Sequence, residues 1–441
     1  MTDRAMIGRV RTDKLTSSEV IRTPVAPASL IRTLYISYDG LLEPLGQSQI
    51  LPYLEGLSGK GVTFILLTFE KPGDMALRSV TWERTVARLE AAGIEWVSLS
   101  YHKRPILLST LYDVACGAAR ALCLARRYRA QLLHVRSTVP AVMALPSRWL
   151  LRCPLLFDIR GFWADERVEG GIWRRGIVYR VAKQIEWLLY RNADGVVSLT
   201  QAGKHVVEGL PAVAGRGIPV EVIPTCVDTD RFTPKIRNEA LMMQAGFEGK
   251  VVFTFLGSVG TWYALDLTLD FFRVVCPEIP NAAFLFIVRG TGDELQAQLK
   301  PSGLAMQSLV LPEVAHEQVP SWLSIASVGT AFSRPTPSNT ARFPTKIGEY
   351  LASGLPVVVS AGLGDCDHLI ETERVGVIVS EHTPEGHRQA VKALRELLED
   401  PGLSDRCRRV AMTYLSLSQG VMRYHMLYRK LTRVNIPEMG A

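Results

Sequence analysis

From residue 33 onward the chain alternates short apolar runs with longer segments of helical periodicity, and no other feature limits its fold so strongly. TLYISY (33–38), VTFILLTFE (62–70), LLHVR (132–136), LLFDIR (155–160), GVVSLT (195–200) and VEVIP (220–224) read as strands. Strands that are apolar throughout and separated by helices belong to a parallel sheet covered on both faces. After VDTDRFTP the rhythm restarts with VVFTFLGS (251–258), AFLFIVRG (283–290), LVLPE (309–313), VGTAFS (328–333) and PVVVS (356–360). A chain of 441 residues is also too long for one ordinary core. The expectation is an α/β protein of two doubly wound domains in tandem, with a ligand cleft between the C-terminal ends of their strands. Residues 1–32 are expected to be a flexible tail, 33–230 the first domain and 231–410 the second. A C-terminal helix within 411–441 is expected to return to the first domain.

Composition narrows the function classes. Arg4, Arg9, Arg11 and Lys14 break up the N-terminal segment, so no signal peptide is expected. No run of some 18 apolar residues follows, so no membrane span is expected either. Seven cysteines, an odd number with no CxxC pair, suggest neither a disulfide framework nor a zinc knuckle, and a reduced, cytoplasmic setting fits them. The net charge of +7 favours an acidic partner: a nucleotide, a phospholipid surface or nucleic acid. No recognised nucleic-acid module accompanies that charge, so nucleic acid is not expected. The stretch WRRGIVYRVAKQIEWLLYR (173–191) mixes arginines with aromatics. It reads as an amphipathic helix on a sheet, with contact to an anionic membrane on the inner face as a second reading.

FPTKIGEYLASGLPVVV (343–359) concentrates the chemistry. Pro344 and Thr345 mark a helix entry, Gly354 suits its end, and Pro356 stops it before the next strand. Lys346 and Glu349 then lie three apart near the helix start, on one side. A helix N-terminus with a lysine suits a phosphate, while a plain surface ion pair has the same spacing. Asp228 with Asp230, and Asp365 with Asp367, have D-x-D spacing, but that triplet is common by chance and no metal is expected. Gly290 and Gly292 suit a tight turn. The loop from Gly40 to Ser48 lacks G-x-G-x-x-G, which gives little support to a nicotinamide or flavin site.

PTKIGEYLASGLPVVVS resembles the signature of the retaining, nucleotide-sugar-dependent glycosyltransferases of family 4, which have the GT-B fold of two Rossmann-like domains facing a central cleft. YISYDGLLEPLGQSQILPYLEGL (35–57), DIRGFWADERVEGGIW (158–173), VIPTCVDTDRF (222–232) and LGSVGTWYALDLTLDFF (256–272) support the resemblance in the right order, and together they cover most of residues 33 to about 400. It implies a cytoplasmic glycosyltransferase, peripheral to a membrane, that moves a sugar from a nucleotide diphosphate donor to a glycan or lipid-linked acceptor. Configuration would be retained, and neither cofactor nor metal is implied. Glu349 takes the place of the glutamate that holds the donor ribose. Lys346, Thr345, Arg342 and the N–H groups around Gly257 and Ser258 fall to the diphosphate, with Arg334 as a further cation. Gly46 lies in the loop approaching the phosphates. Asp158 and Arg160, followed by Trp163, Asp165 and Glu166, fall to the reaction centre or acceptor, so Lys346, Asp158 and Arg160 are the candidate catalytic residues. The chain departs from the pattern at Ala341, where the family has its first glutamate, and in GSVGTWYALD, which lacks the usual arginine and lysine. A non-catalytic or weakly active nucleotide-sugar binder is the alternative these departures leave.

Overall fold

The computed structural model describes residues 19–21, 31–71, 79–102, 104–258, 264–289 and 292–433. Eight strands form the first sheet: β1 (Glu19–Ile21), β2 (Ile31–Ser37), β3 (Val62–Glu70), β4 (Glu95–Ser100), β5 (Leu132–Arg136), β6 (Leu155–Asp158), β7 (Gly195–Ser198) and β8 (Val220–Val222). Their order is β1-β4-β3-β2-β5-β6-β7-β8. Strands β2 to β8 are parallel, and β1 runs antiparallel along β4. The second sheet is parallel throughout, with β9 (Val251–Ser258), β10 (Ala282–Arg289), β11 (Ser308–Pro312), β12 (Val328–Ala331), β13 (Val357–Ser360) and β14 (Gly376–Val379) in the order β11-β10-β9-β12-β13-β14. The expected α/β class of two Rossmann-like domains is what the chain adopts.

In each sheet the strand order reverses once, beside β2 in the first domain and beside β9 in the second. Doubly wound sheets bind ligands at that switch point, outside the strand C-termini. The helices fit this arrangement from their sequences. In the helix Leu265–Glu278, Phe271 and Phe272 are buried, and Phe272 stacks on Phe284 of β10 at 4.2 Å between ring centroids. Phe253 and Phe255 of β9 join the same aromatic layer, so the strand leading to the switch point is rigidly backed.

The structure departs from the sequence reading in three places. A tail through residue 32 does not describe Glu19–Ile21, which pairs with β4 and covers what would be a bare sheet edge, nor Ile31, where β2 begins. β4 and β14 were not legible as strands, because serines interrupt EWVSLS and GVIV is only four residues long. Finally, one helix among the described residues, over Leu108–Arg127, is long and apolar enough by length and composition to cross a membrane. It nevertheless carries the buried Asp113, which accepts from Tyr38 Oη at 2.8 Å, and Gly117 fits closely against Met143 and Phe69. Gly290 lies outside the described residues.

The C-terminal helix, Leu417–Thr432, crosses back to the first domain. It packs on the helix Leu51–Ser58 and on β2 and β5, with Tyr424 and Tyr428 buried against that sheet. The preceding helix, Leu403–Tyr414, stays with the second domain against the helix Thr345–Ala352.

Candidate active site

The helix Thr345–Ala352 begins beyond the C-terminal end of β12, beside the switch point. Pro344 is extended and stands before its first turn, and Gly354, with φ of +78°, ends it where any side chain would meet Ser404 and Pro234. Ile347, Tyr350 and Leu351 anchor the helix in the core. Lys346 and Glu349 are buried with them, 3% and 6% exposed, so they are not a surface ion pair. Lys346 Nζ lies 4.4 Å from the centre of the Phe255 ring. Burial brings its pKa down to about 7, and the charge of Glu349 only partly opposes that. Glu349 Oε1 accepts a hydrogen bond from His316 Nε2 at 3.0 Å. The structure thus keeps Lys346 and Glu349 buried together in the first turns of the helix.

The other expected donor-side residues are spread around this helix. Gly257, with φ of +134°, and the exposed Ser258 end β9, and the loop that follows them lies outside the described residues. Thr345 opens the helix itself. Arg334 pairs at the exposed surface with Asp266. Arg342 turns to the first domain, where its Nε donates to Glu166 Oε1 at 3.0 Å.

That ion pair belongs to a wider contact between the two domains. Glu169 accepts hydrogen bonds from the backbone N–H and hydroxyl of Ser338, and Thr200 Oγ1 donates to Thr340 O at 2.6 Å. Asp365 accepts from Gln201 N and Ala202 N at the start of the helix Gln201–Glu208. Ala341 is fully buried in this contact, with Gly203 packed against it. Three of the D-x-D carboxylates are thus engaged with backbone groups, because beside Asp365, Asp367 accepts from Gly362 N and Leu363 N, and Asp228 from Asp230 N and Arg231 N. Among the described residues no group of three acidic, histidine or cysteine side chains is placed to hold a metal.

On the first-domain side, Asp158 and Arg160 are drawn inward. Asp158 is 1% exposed and accepts from Tyr424 Oη at 2.9 Å, with Arg160 Nη1 at 3.6 Å and His134 Nε2 at 3.7 Å. Burial would raise the Asp158 pKa, but the charge of Arg160, the neighbouring His134 and the charge of Arg136 outweigh it and bring it down to about 2. Burial opposes the charge on Arg160, yet Asp158 holds its pKa above the ordinary value. Tyr35, Gln49, Tyr53, His134, Arg136, Asp158 and Tyr424 line a cavity of about 10 Å³ here, the size of one water. These charges bind the C-terminal helix to the sheet. Arg160 has φ of +57° and Ser137 φ of +73°, so the backbone is strained just beyond the C-terminal ends of β5 and β6. Asp165 accepts from Tyr179 Oη and Lys183 Nζ, which secures the helix Ile177–Asn192, and Trp163 packs edge-on against Trp173.

Gly46 is packed against its own loop, since a Cβ there would lie 2.4 Å from Gly40 O. The loop around it is held by Glu70, which accepts from Leu41 N at 2.7 Å and Leu42 N at 3.3 Å. Burial raises the Glu70 pKa against those bonds. Sequence reasoning missed Glu70, Arg136, Glu169 and His316. An acidic or basic residue closing an apolar strand, as in VTFILLTFE and LLHVR, was the available signal for the first two.

Two Rossmann-like domains that share the order of six parallel strands, β4-β3-β2-β5-β6-β7 and β11-β10-β9-β12-β13-β14, and meet through the loops beyond their strand C-termini, constitute the GT-B architecture. Residues 47–226 match the family "Glycosyl transferase 4-like domain" and residues 250–400 match "Glycosyl transferases group 1", so the chain belongs to the glycosyltransferases. Over 190 residues it is 30% identical to the D-inositol 3-phosphate glycosyltransferase of Geodermatophilus obscurus, an alignment that covers 40% of this chain and 41% of that protein. Sucrose-phosphate synthase from Thermosynechococcus elongatus shares the fold with a TM-score of 0.68 at 15% identity, over 92% of this chain and all of the other. HepE from Anabaena, solved in complex with UDP-glucose, has a TM-score of 0.67 at 16% identity over the same shares.

Proposed function

We propose that the protein transfers a sugar from a nucleotide diphosphate donor to a glycan or lipid-linked acceptor, with retention of configuration and without a metal ion. The observation that carries this reading is the buried pair at the head of the helix Thr345–Ala352. Lys346 would take the diphosphate, and Glu349 the ribose. In the resting site burial brings the Lys346 pKa down to about 7. A bound diphosphate stabilises the ammonium, which then neutralises the charge that grows on the leaving group as the glycosidic bond breaks. With retention by front-face attack, the departing phosphate helps take the acceptor's proton, so a flanking pair of carboxylates is not required. The UDP-glucose complex of the Anabaena neighbour makes a uridine nucleotide the first donor to try.

The same reading includes an anionic membrane surface on the cytoplasmic side as partner. The helix Ile177–Asn192 packs inward through Ala182, Glu186, Leu189 and Tyr190. Ile177, Val178 and Val181 are 74%, 59% and 52% exposed, beside the exposed Arg174, Arg175 and Arg180. Apolar residues ringed by arginine suit the boundary between lipid headgroups and acyl chains.

The test is steady-state turnover of a nucleotide-sugar panel by the wild type and by Lys346→Ala and Glu349→Ala. Lys346→Ala is expected to lower kcat by roughly 10- to 100-fold, and Glu349→Ala chiefly to raise the donor KM. Tight donor binding with no turnover would favour a non-catalytic binder, the reading that Ala341 also suits.

A further inference from the structure

The carboxylate of Glu349 is held from a separate part of the second domain. His316 follows β11 in a loop whose first residue, Glu313, has φ of +54° and donates its N–H to Val288 O at 2.9 Å. That turn brings the His316 ring to the Thr345–Ala352 helix, where Nε2 stands 3.0 Å from Glu349 Oε1. Both side chains are largely buried, 19% and 8% exposed. A carboxylate only accepts, so Nε2 carries the proton. The ring rests near Phe232, 5.6 Å between centroids, and Phe232 is fixed in turn because its carbonyl accepts from Arg408 Nη1 at 2.6 Å. His316 Nδ1 is buried, with no hydrogen-bond partner among the described residues. The imidazole is thus seated by packing on one side and directed at a single carboxylate oxygen on the other.

We propose that His316 is the positioning residue for Glu349, fixing its carboxylate in the orientation that accepts the two ribose hydroxyls of the donor nucleotide. The proposal rests on Glu349 being the ribose ligand. With Oε1 engaged by the imidazole N–H, Oε2 and the remaining lone pair of Oε1 are left to receive a cis-diol. A glutamate without that partner has three torsions to order when the nucleotide arrives, and binding pays for that order.

Titration calorimetry with UDP and with 2′,3′-dideoxy-UDP tests the idea. His316→Ala and His316→Phe, the second of which keeps a ring against Phe232, are expected to weaken UDP by about tenfold. His316→Gln, whose amide nitrogen falls near the place of Nε2, should stay within about threefold of wild type. Dideoxy-UDP should bind all three and the wild type alike. His316→Ala added to Glu349→Ala should weaken UDP no further, since the two act as one unit. If Glu349→Ala weakens UDP while His316→Ala and His316→Phe leave it unchanged, His316 does not position the glutamate, although the ribose reading stands. If Glu349→Ala leaves the preference for UDP over its dideoxy analogue intact, the ribose reading itself fails. Weakening of both nucleotides alike by His316→Phe, with an unchanged melt, would also overturn the proposal.

Discussion

Replacing Lys346 with methionine should make the protein more stable and a poorer binder at once. Burial brings the ammonium pKa from 10.5 to about 7. A lowering of that size corresponds to an upper bound of about 4 kcal/mol at pH 7. The sign follows from the lowered pKa. The penalty is fully present below pH 7 and is relieved as pH rises toward 10.5, so wild-type stability contributed by this group climbs over that window. Lys346→Met removes the penalty, and its melting temperature should exceed that of wild type near neutral pH and approach it near pH 10. Binding shows the reverse. If a diphosphate restores the ammonium, UDP-glucose binding takes up about half a proton at pH 7, and its Kd rises roughly 30-fold between pH 6 and 8.5. Titration calorimetry in buffers of different ionisation enthalpy reads both quantities. A Kd flat over that range in the wild type, or a Lys346→Met variant that binds as tightly and melts no higher, would refute the reasoning.

Asp158→Asn and Tyr424→Phe should each destabilise the fold, the first by about 3 kcal/mol because Arg160 is left uncompensated in the interior. With its pKa lowered to about 2, Asp158 contributes stability above its ordinary value of 3.8 that is lost as pH falls from there through 2, and acid denaturation of Asp158→Asn should lack that component. Arg342→Ala and Glu166→Ala should lower the melting temperature by similar amounts without adding in the double variant, since the two side chains form one bridge between domains. A far larger loss of UDP-glucose affinity in Arg342→Ala than in Glu166→Ala would instead mean that the arginine reaches the donor. The protein should sediment with anionic vesicles at low salt and be released as salt rises, and Val178→Glu with Val181→Glu should abolish sedimentation; equal binding to neutral vesicles would count against the charged surface.

The parallel strands were legible because wholly apolar runs such as VTFILLTFE have one physical explanation, burial on both faces. Lys346 and Glu349 were legible as a pair, but their burial was not. Spacing on a helix fixes which residues share a side, not what covers that side, and here Phe255 and His316 come from distant strands and loops. Asp158 and Arg160 were expected at the reaction centre or acceptor because DIRGFWADE resembles the family's cleft-lining segment. That they turn inward depends on Tyr424, 266 residues further along the chain, which no local pattern announces. Arg342 looked like an anion ligand for the same reason: its partner, Glu166, lies in the other domain.

The central claim is glycosyl transfer with retention, and the configuration of the product tests it most directly. The protein would be incubated with a panel of α-linked nucleotide diphosphate sugars and lipid-linked or glycan acceptors in the presence of EDTA, and the new anomeric proton followed by NMR. The expected result is release of the nucleoside diphosphate and an α-linked product, at a rate unchanged by the chelator. A β-linked product, or turnover that stops in EDTA and returns with manganese or magnesium, would contradict it.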